Sequence, residues 1–206
     1  MTTEKLYFYP VWLRVWHGFN ALGILVLIVT GISMQWSIDS PLINFSLAVK
    51  MHNIAGVVVS IGYLLFFAGN LFTVNGKFYR VKPKGLGKRL VRQARYYLCG
   101  MFKNEEPPFP LSEKRKFNPL QKYSYILVMY LLMPLVVITG LALLFPELII
   151  EEVYHLSGIF LTAVFHSALG FLISIFLIVH LYVASIGKNP LKNYRSIVTG
   201  WHEINH

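Results

Sequence analysis

Four stretches of the chain are almost continuously apolar, and none alternates with the two-residue period of a half-buried strand. They run from Val11 to Met34, Ala48 to Phe72, Tyr123 to Phe145 and Ile159 to Ile186. Each reaches the roughly 20 residues that a helix needs to cross about 30 Å of hydrocarbon. Turn formers stand where such helices should stop: Ser40-Pro41 after the first, Asn75-Gly76 after the second, Gly187-Lys188 with Pro190 after the fourth. The pattern predicts an all-α integral membrane protein built as one domain over residues 1–206. Its four-helix transmembrane bundle covers 11–34, 48–74, 119–145 and 159–186, with Pro134 kinking the third helix.

Composition agrees, since 55% hydrophobic and 14% charged residues do not suit an ordinary soluble domain. The first stretch has aromatic flanks (Tyr7, Phe8, Tyr9) and Arg14, and it lacks a small-residue cleavage site. It reads as a retained helix, inserted without processing. Charge sets the topology: residues 75–122 carry thirteen Lys and Arg against Glu105, Glu106 and Glu113. A loop so basic belongs on the cytoplasmic side, which puts both termini there too. Lys188, Lys192 and Arg195 beyond the fourth helix agree, as does the acidic loop of Glu147, Glu151 and Glu152 on the other side. The formal charge of +10 comes mostly from this one juxtamembrane loop, so it indicates membrane lipid as a partner and no nucleic acid. Within the loop, Leu86, Leu90, Val91, Ala94, Tyr97, Leu98, Met101 and Phe102 recur at helical spacing among Lys88, Arg89, Arg92 and Arg95. An interfacial helix over 86–103 is expected. Cys99 is the single cysteine, which excludes an intrachain disulfide, a thiolate iron–sulfur site and covalent c-type haem attachment.

Candidate chemistry rests on histidine. His17, His52, His166 and His180 lie inside or at the lip of apolar stretches, where an imidazole without a partner is costly. His166 and His180 are separated by close to four helical turns, so they share a face about 21 Å apart along the axis. With alternating helix directions, His17 falls level with His180 at the inner side and His52 level with His166 at the outer side. Two imidazoles at one level form the axial pair of a low-spin electron-transfer haem, and two such levels make a transmembrane electron path. The small residues Gly18, Gly56, Gly62 and Gly170 would let a flat macrocycle approach the backbone. Arg14 and Lys50, near His17 and His52, are candidates to meet haem propionates or to snorkel toward the interface. His155, His202 and His206 are expected to be solvated.

These residues carry a resemblance. Arg14-Val-Trp-His17-Gly-Phe-Asn20 with Thr30-Gly31, His52-Asn-Ile-Ala-Gly56, Phe117-Asn118-Pro-Leu-Gln121-Lys122 with Thr139-Gly140, and His166 with His180-Leu-Tyr182 resemble the bacterial di-haem cytochrome b subunits. Those subunits anchor membrane-bound nickel–iron hydrogenases, formate dehydrogenases and thiosulfate-reductase-like enzymes. The likeness covers nearly the whole chain, including Pro190 and Thr199-Gly200-Trp201. One histidine on each of the first two helices and two on the fourth differ from the bc-complex pattern of two helices with two each.

The resemblance implies two haem b groups held by the pairs His17/His180 and His52/His166 in a bacterial inner membrane. It implies an electron-transfer subunit of a larger oxidoreductase complex, working between a periplasmic redox partner and menaquinone or ubiquinone. That partner would be a hydrogenase, an iron–sulfur and molybdenum enzyme, or a multihaem cytochrome c. It places Asn118, with Gln121 and Lys122, by the quinone near His180, although Asn118-Pro119 also reads as a helix cap. The rival readings are a haem-free membrane anchor or histidine-relay proton channel, and a haem transporter or sensor.

Overall fold

A computed structural model describes residues 3–35, 43–186 and 190–205. Four long helices, α1 (Val11–Gln35), α2 (Phe45–Phe72), α4 (Pro119–Leu144) and α5 (Gly158–Ser185), are long and apolar enough to cross a membrane. Between them come α3 (Leu86–Leu98) in the basic loop and, near the C-terminus, α6 (Lys192–Thr199). Large apolar side chains on the long helices face outward, as lipid contact requires: Phe19 is 68% exposed, Leu64 65% and Ile178 69%. The protein is a multi-pass membrane bundle.

Small residues set the closest helix crossing. A Cβ on Gly23 would lie 2.5 Å from Val59 Cγ2, and one on Gly69 would lie 2.7 Å from the Trp12 ring, so α1 and α2 pack backbone against side chain. Val59 and Tyr63 of α2, Val128 and Met133 of α4 and Ile173 of α5 form the buried core, flanked by Ile24, Leu27 and Phe176. α2 begins at Phe45, three residues before the apolar stretch, because Asn44 Oδ1 accepts from Ser46 N at 3.0 Å and caps it.

α4 contains one π turn, Val128–Leu132, immediately before Pro134. Proline has no N–H for the carbonyl one turn back and its ring crowds that carbonyl; the wider turn absorbs this local mismatch. Leu86 follows Gly85, whose φ of 68° lets the chain swing into α3. The 3₁₀ turn Val74–Tyr79 follows α2, and a Cβ at Gly76 would fall 2.2 Å from Asn70 O, so only glycine fits there.

Two short ribbons were not expected from the apolar pattern. β1 (Thr3–Tyr7) pairs antiparallel with β4 (Trp201–Asn205) and ties the two chain ends together. β2 (Glu152–Val153) and β3 (Leu156–Ser157) form a hairpin between α4 and α5. Its turn residues Tyr154 and His155 have φ of 49° and 65°, as a two-residue type I′ turn requires. Sequence alone hides both, because one is too short to show a period and the other joins segments nearly 200 residues apart. Of the expected features, Ser40-Pro41, Gly187-Lys188 and His206 lie outside the described residues.

Candidate functional site

α5 presents two histidines, and each meets a different helix. His180 faces His17 of α1 with ring centroids 6.3 Å apart and planes at 54°. His166 faces His52 of α2 with centroids 6.2 Å apart and planes at 71°. The structure therefore brings together the pairs that the spacing placed at one level.

Hydrogen bonds behind the rings of His52, His166 and His180 bear on how these imidazoles point. Thr30 Oγ1 donates to Val26 O at 2.6 Å, so its lone pair is what meets His52 Nδ1 at 2.9 Å. Thr139 Oγ1 repeats the arrangement on α4, donating to Leu135 O at 2.8 Å and receiving His166 Nδ1 at 2.9 Å. An acceptor at Nδ1 puts the ring proton there and leaves the Nε2 lone pair free to ligate. Each threonine precedes a glycine that makes room for the same ring. A Cβ at Gly31 would stand 3.6 Å from His52 Cε1, and one at Gly140 3.0 Å from His166 Cε1. Thr30-Gly31 and Thr139-Gly140 are thus two copies of one cradle. At the other pair, Tyr125 Oη lies 3.3 Å from His180 Nδ1, and Phe176 stacks on the His180 ring at 5.6 Å.

A metal taking one nitrogen from each ring at about 2 Å holds the ring centroids roughly 6 Å apart, and both pairs meet that spacing. Among the described residues no group of three or more His, Cys, Asp or Glu could hold a metal ion. Two-histidine sites suit a cofactor that brings its own equatorial donors, as a haem does. Other features fit. A Cβ at Gly18 or Gly170 would meet nothing within 4 Å. Arg14 Nε and Asn20 Oδ1, one turn to either side of His17, are buried without a hydrogen-bond partner. Arg14 Nη1 is tied to Thr199 O at 2.5 Å, which fixes its direction, while Lys50 is exposed at the start of α2.

The segment before α4 is more committed than its sequence suggested. Asn118 Oδ1 accepts from Gln121 N at 3.0 Å and Gln121 Oε1 accepts from Asn118 N at 3.3 Å, a reciprocal capping box. Asn118 Nδ2 donates to Tyr97 Oη of α3 at 2.7 Å. Tyr97 was not singled out from sequence, although it falls on the apolar stripe of α3. Burial holds its hydroxyl above the usual tyrosine range, and the Asn118 bond opposes that shift. Lys122 is half-buried, within the field of Lys82 and Arg89.

His155 is exposed and pairs with Glu152 at 3.3 Å. His202 corrects expectation: it is 7% exposed, and its Nδ1 bonds Ser196 Oγ at 2.9 Å under the Phe8 ring. The ribbon made by the chain ends buries it, so a tail position gave no sign of its burial.

Four apolar helices with histidine pairs facing across the bundle interior define a membrane cytochrome of the b type. The chain matches the family described as prokaryotic cytochrome b561 over residues 8–200, and it belongs to that family. It is also 35% identical over 199 residues to "Putative cytochrome YdhU" of Escherichia coli (strain K12), a match covering 97% of this chain and 75% of that protein. No solved structure matches. Membership makes this a haem b-binding electron-transfer protein of the bacterial membrane.

Proposed function

We propose that the chain holds two haem b groups, one between His17 and His180 and one between His52 and His166, and passes electrons across the membrane between a periplasmic redox subunit and the quinone pool. The observation that carries this reading is the repeated ring pair at metal-bridging separation, with Nδ1 of His52, His166 and His180 engaged by a hydroxyl. A haem held by either histidine pair would supply one-electron chemistry, and the two imidazoles would leave a substrate no place at the metal. The protein's part is to fix two sites about 21 Å apart on α5 and to keep them dry. Arg14 Nε offers an unspent donor for a propionate at the inner site, and exposed Lys50, two residues before His52, is the candidate donor at the outer one.

The charge of segment 75–122 supports an orientation with the His17/His180 level and both termini toward the cytoplasmic face of the inner membrane. The acidic loop of Glu147, Glu151 and Glu152 then faces the partner, a hydrogenase, an iron–sulfur and molybdenum enzyme, or a multihaem cytochrome c. Menaquinone or ubiquinone meets the chain near Asn118, Gln121, Lys122 and His180. Asn118 Oδ1 is held by the cap and one Nδ2 hydrogen by Tyr97, so the second Nδ2 hydrogen is the donor left for a quinone oxygen. Amide and ammonium donors there stabilise the negative charge that builds on a quinone oxygen as it is reduced.

The test is a dithionite-reduced minus air-oxidised visible spectrum of the detergent-purified chain, with haem counted per polypeptide. Two low-spin b haems are expected, with one lost in His52→Ala and the other in His180→Ala. A colourless chain after haem-replete expression overturns the reading in favour of a haem-free anchor or a histidine-relay channel.

A further inference from the structure

One lysine of the basic loop behaves unlike the rest. Lys116 is 3% exposed, and among the described residues it makes no ion pair with a carboxylate. Its Nζ donates to Asn75 Oδ1 at 3.1 Å and sits over the rings of Tyr9 at 4.4 Å and of Phe78 and Phe117 at 5.5 Å. The polar chain continues inward: Asn75 Nδ2 donates to Asn70 Oδ1 at 2.6 Å, and Asn70 Nδ2 donates to Tyr130 Oη at 3.2 Å, inside the π turn of α4.

Two directions lead away from this ammonium. Toward solvent, Asn75 and Phe78 line a cleft of about 370 Å³ between β1, the start of α1 and the 3₁₀ turn, with Lys77 and Glu113 at its wall. Toward the bundle, Phe117 packs edge-on against Tyr125 at 5.0 Å, and Tyr125 touches the His180 ring at 5.7 Å. A buried ionisable group thus lies two aromatic rings from the inner histidine pair and one amide from a cleft that can hold water.

We propose that Lys116 is a redox-linked protonation site: its amine takes up one proton from water in the Asn75 cleft when an electron arrives at the His17/His180 level, and returns it when that electron leaves. This rests on the two-haem reading above. The electron comes from the outer site, the proton from cytoplasmic water, and the ammonium formed balances the added negative charge. On oxidation by quinone the electron departs and the proton is released from Nζ by the same cleft. Burial brings the Lys116 pKa down to about 7, so both forms are accessible near neutrality and modest added charge shifts the balance. Tyr9 from the N-terminal segment and Tyr79 from the 3₁₀ turn are the titratable groups near it; burial raises Tyr9 to about 12 and Tyr79 further, so both stay neutral there. Lys77 and Glu113 at the cleft are the charged groups to control for.

The experiment is optical redox titration of the haem-loaded His52→Ala protein, which isolates the inner haem, at a series of pH values from 5.5 to 8.5. The midpoint should fall as pH rises, approaching about 59 mV per tenfold change in proton activity, the limit of one proton per electron. Lys116→Met should flatten the dependence at a lower midpoint, and Lys116→Arg, with a permanent charge, should flatten it at a higher one. Glu113→Gln should leave the slope in place. A flat profile in the parent, or a slope that survives in both lysine variants, overturns the proposal while leaving haem binding intact. Absence of haem from the parent overturns the underlying reading instead.

Discussion

Thr30 and Thr139 illustrate how much a hydroxyl contributes when it has somewhere else to send its proton. Each donates to a carbonyl one turn back, so toward histidine it only accepts, and the imidazole is held in the tautomer a metal needs. Replacing either with valine keeps the shape and removes the acceptor. Thr139→Val should weaken haem retention at the His166 level by about 10- to 100-fold, read as haem lost per chain during dilution, while the inner haem persists; unchanged retention would assign the threonine to packing alone. Asn118 separates two roles by chemistry. Asn118→Asp keeps the Oδ1 cap and loses the amide donor, so quinone turnover should fall with thermal stability little changed, whereas Asn118→Ala should also cost about 1 kcal/mol of helix capping. Equal turnover in the aspartate variant and the parent would leave the residue a cap. The four histidines were legible in sequence because a polar ring in an apolar run stands out. Lys116 was not, because it is one of thirteen Lys and Arg in residues 75–122 and nothing local marks it as the one that folds inward.

At the level of elements, the long helices could be read from the apolar runs because lipid imposes a length and forbids unpaired backbone. Their ends needed side chains: Asn44 starts α2 early, and the Asn118 box starts α4 at Pro119. Pro134 is expected to kink its helix, and the irregularity found beside it in α4 is a π turn from Val128 to Leu132, a form the proline alone does not specify. The β1–β4 ribbon is invisible for the opposite reason, since its partners lie nearly 200 residues apart and no local pattern links them. His202 gives it a pH dependence. Burial lowers the pKa of this imidazole from 6.5, with Lys192 adding to the effect and Glu203 opposing it. A lowered folded-state value means the folded form favours neutral histidine, so the ribbon's stability is full above the ordinary value and declines as pH falls below it. The protection factors of the Leu6 and Phe8 amides, exchange rates divided out for their intrinsic pH dependence, should fall on acidification below about pH 6.5, and His202→Gln should remove that fall; protection that stays constant with pH in the parent would show that the ribbon does not depend on the neutral ring.

Across the whole molecule, each histidine pair joins one of the two earliest long helices to the last. Neither site can be completed before α5 is made, and Arg14 beside His17 is itself held by Thr199 at the far end of the chain. A ribosome that has delivered α1, α2 and α4 to the bilayer has therefore produced half-sites only. On the two-haem reading cofactor capture follows the synthesis of α5, and cells that arrest or truncate the polypeptide ahead of α5 should accumulate an inserted fragment in the membrane fraction with no haem absorbance.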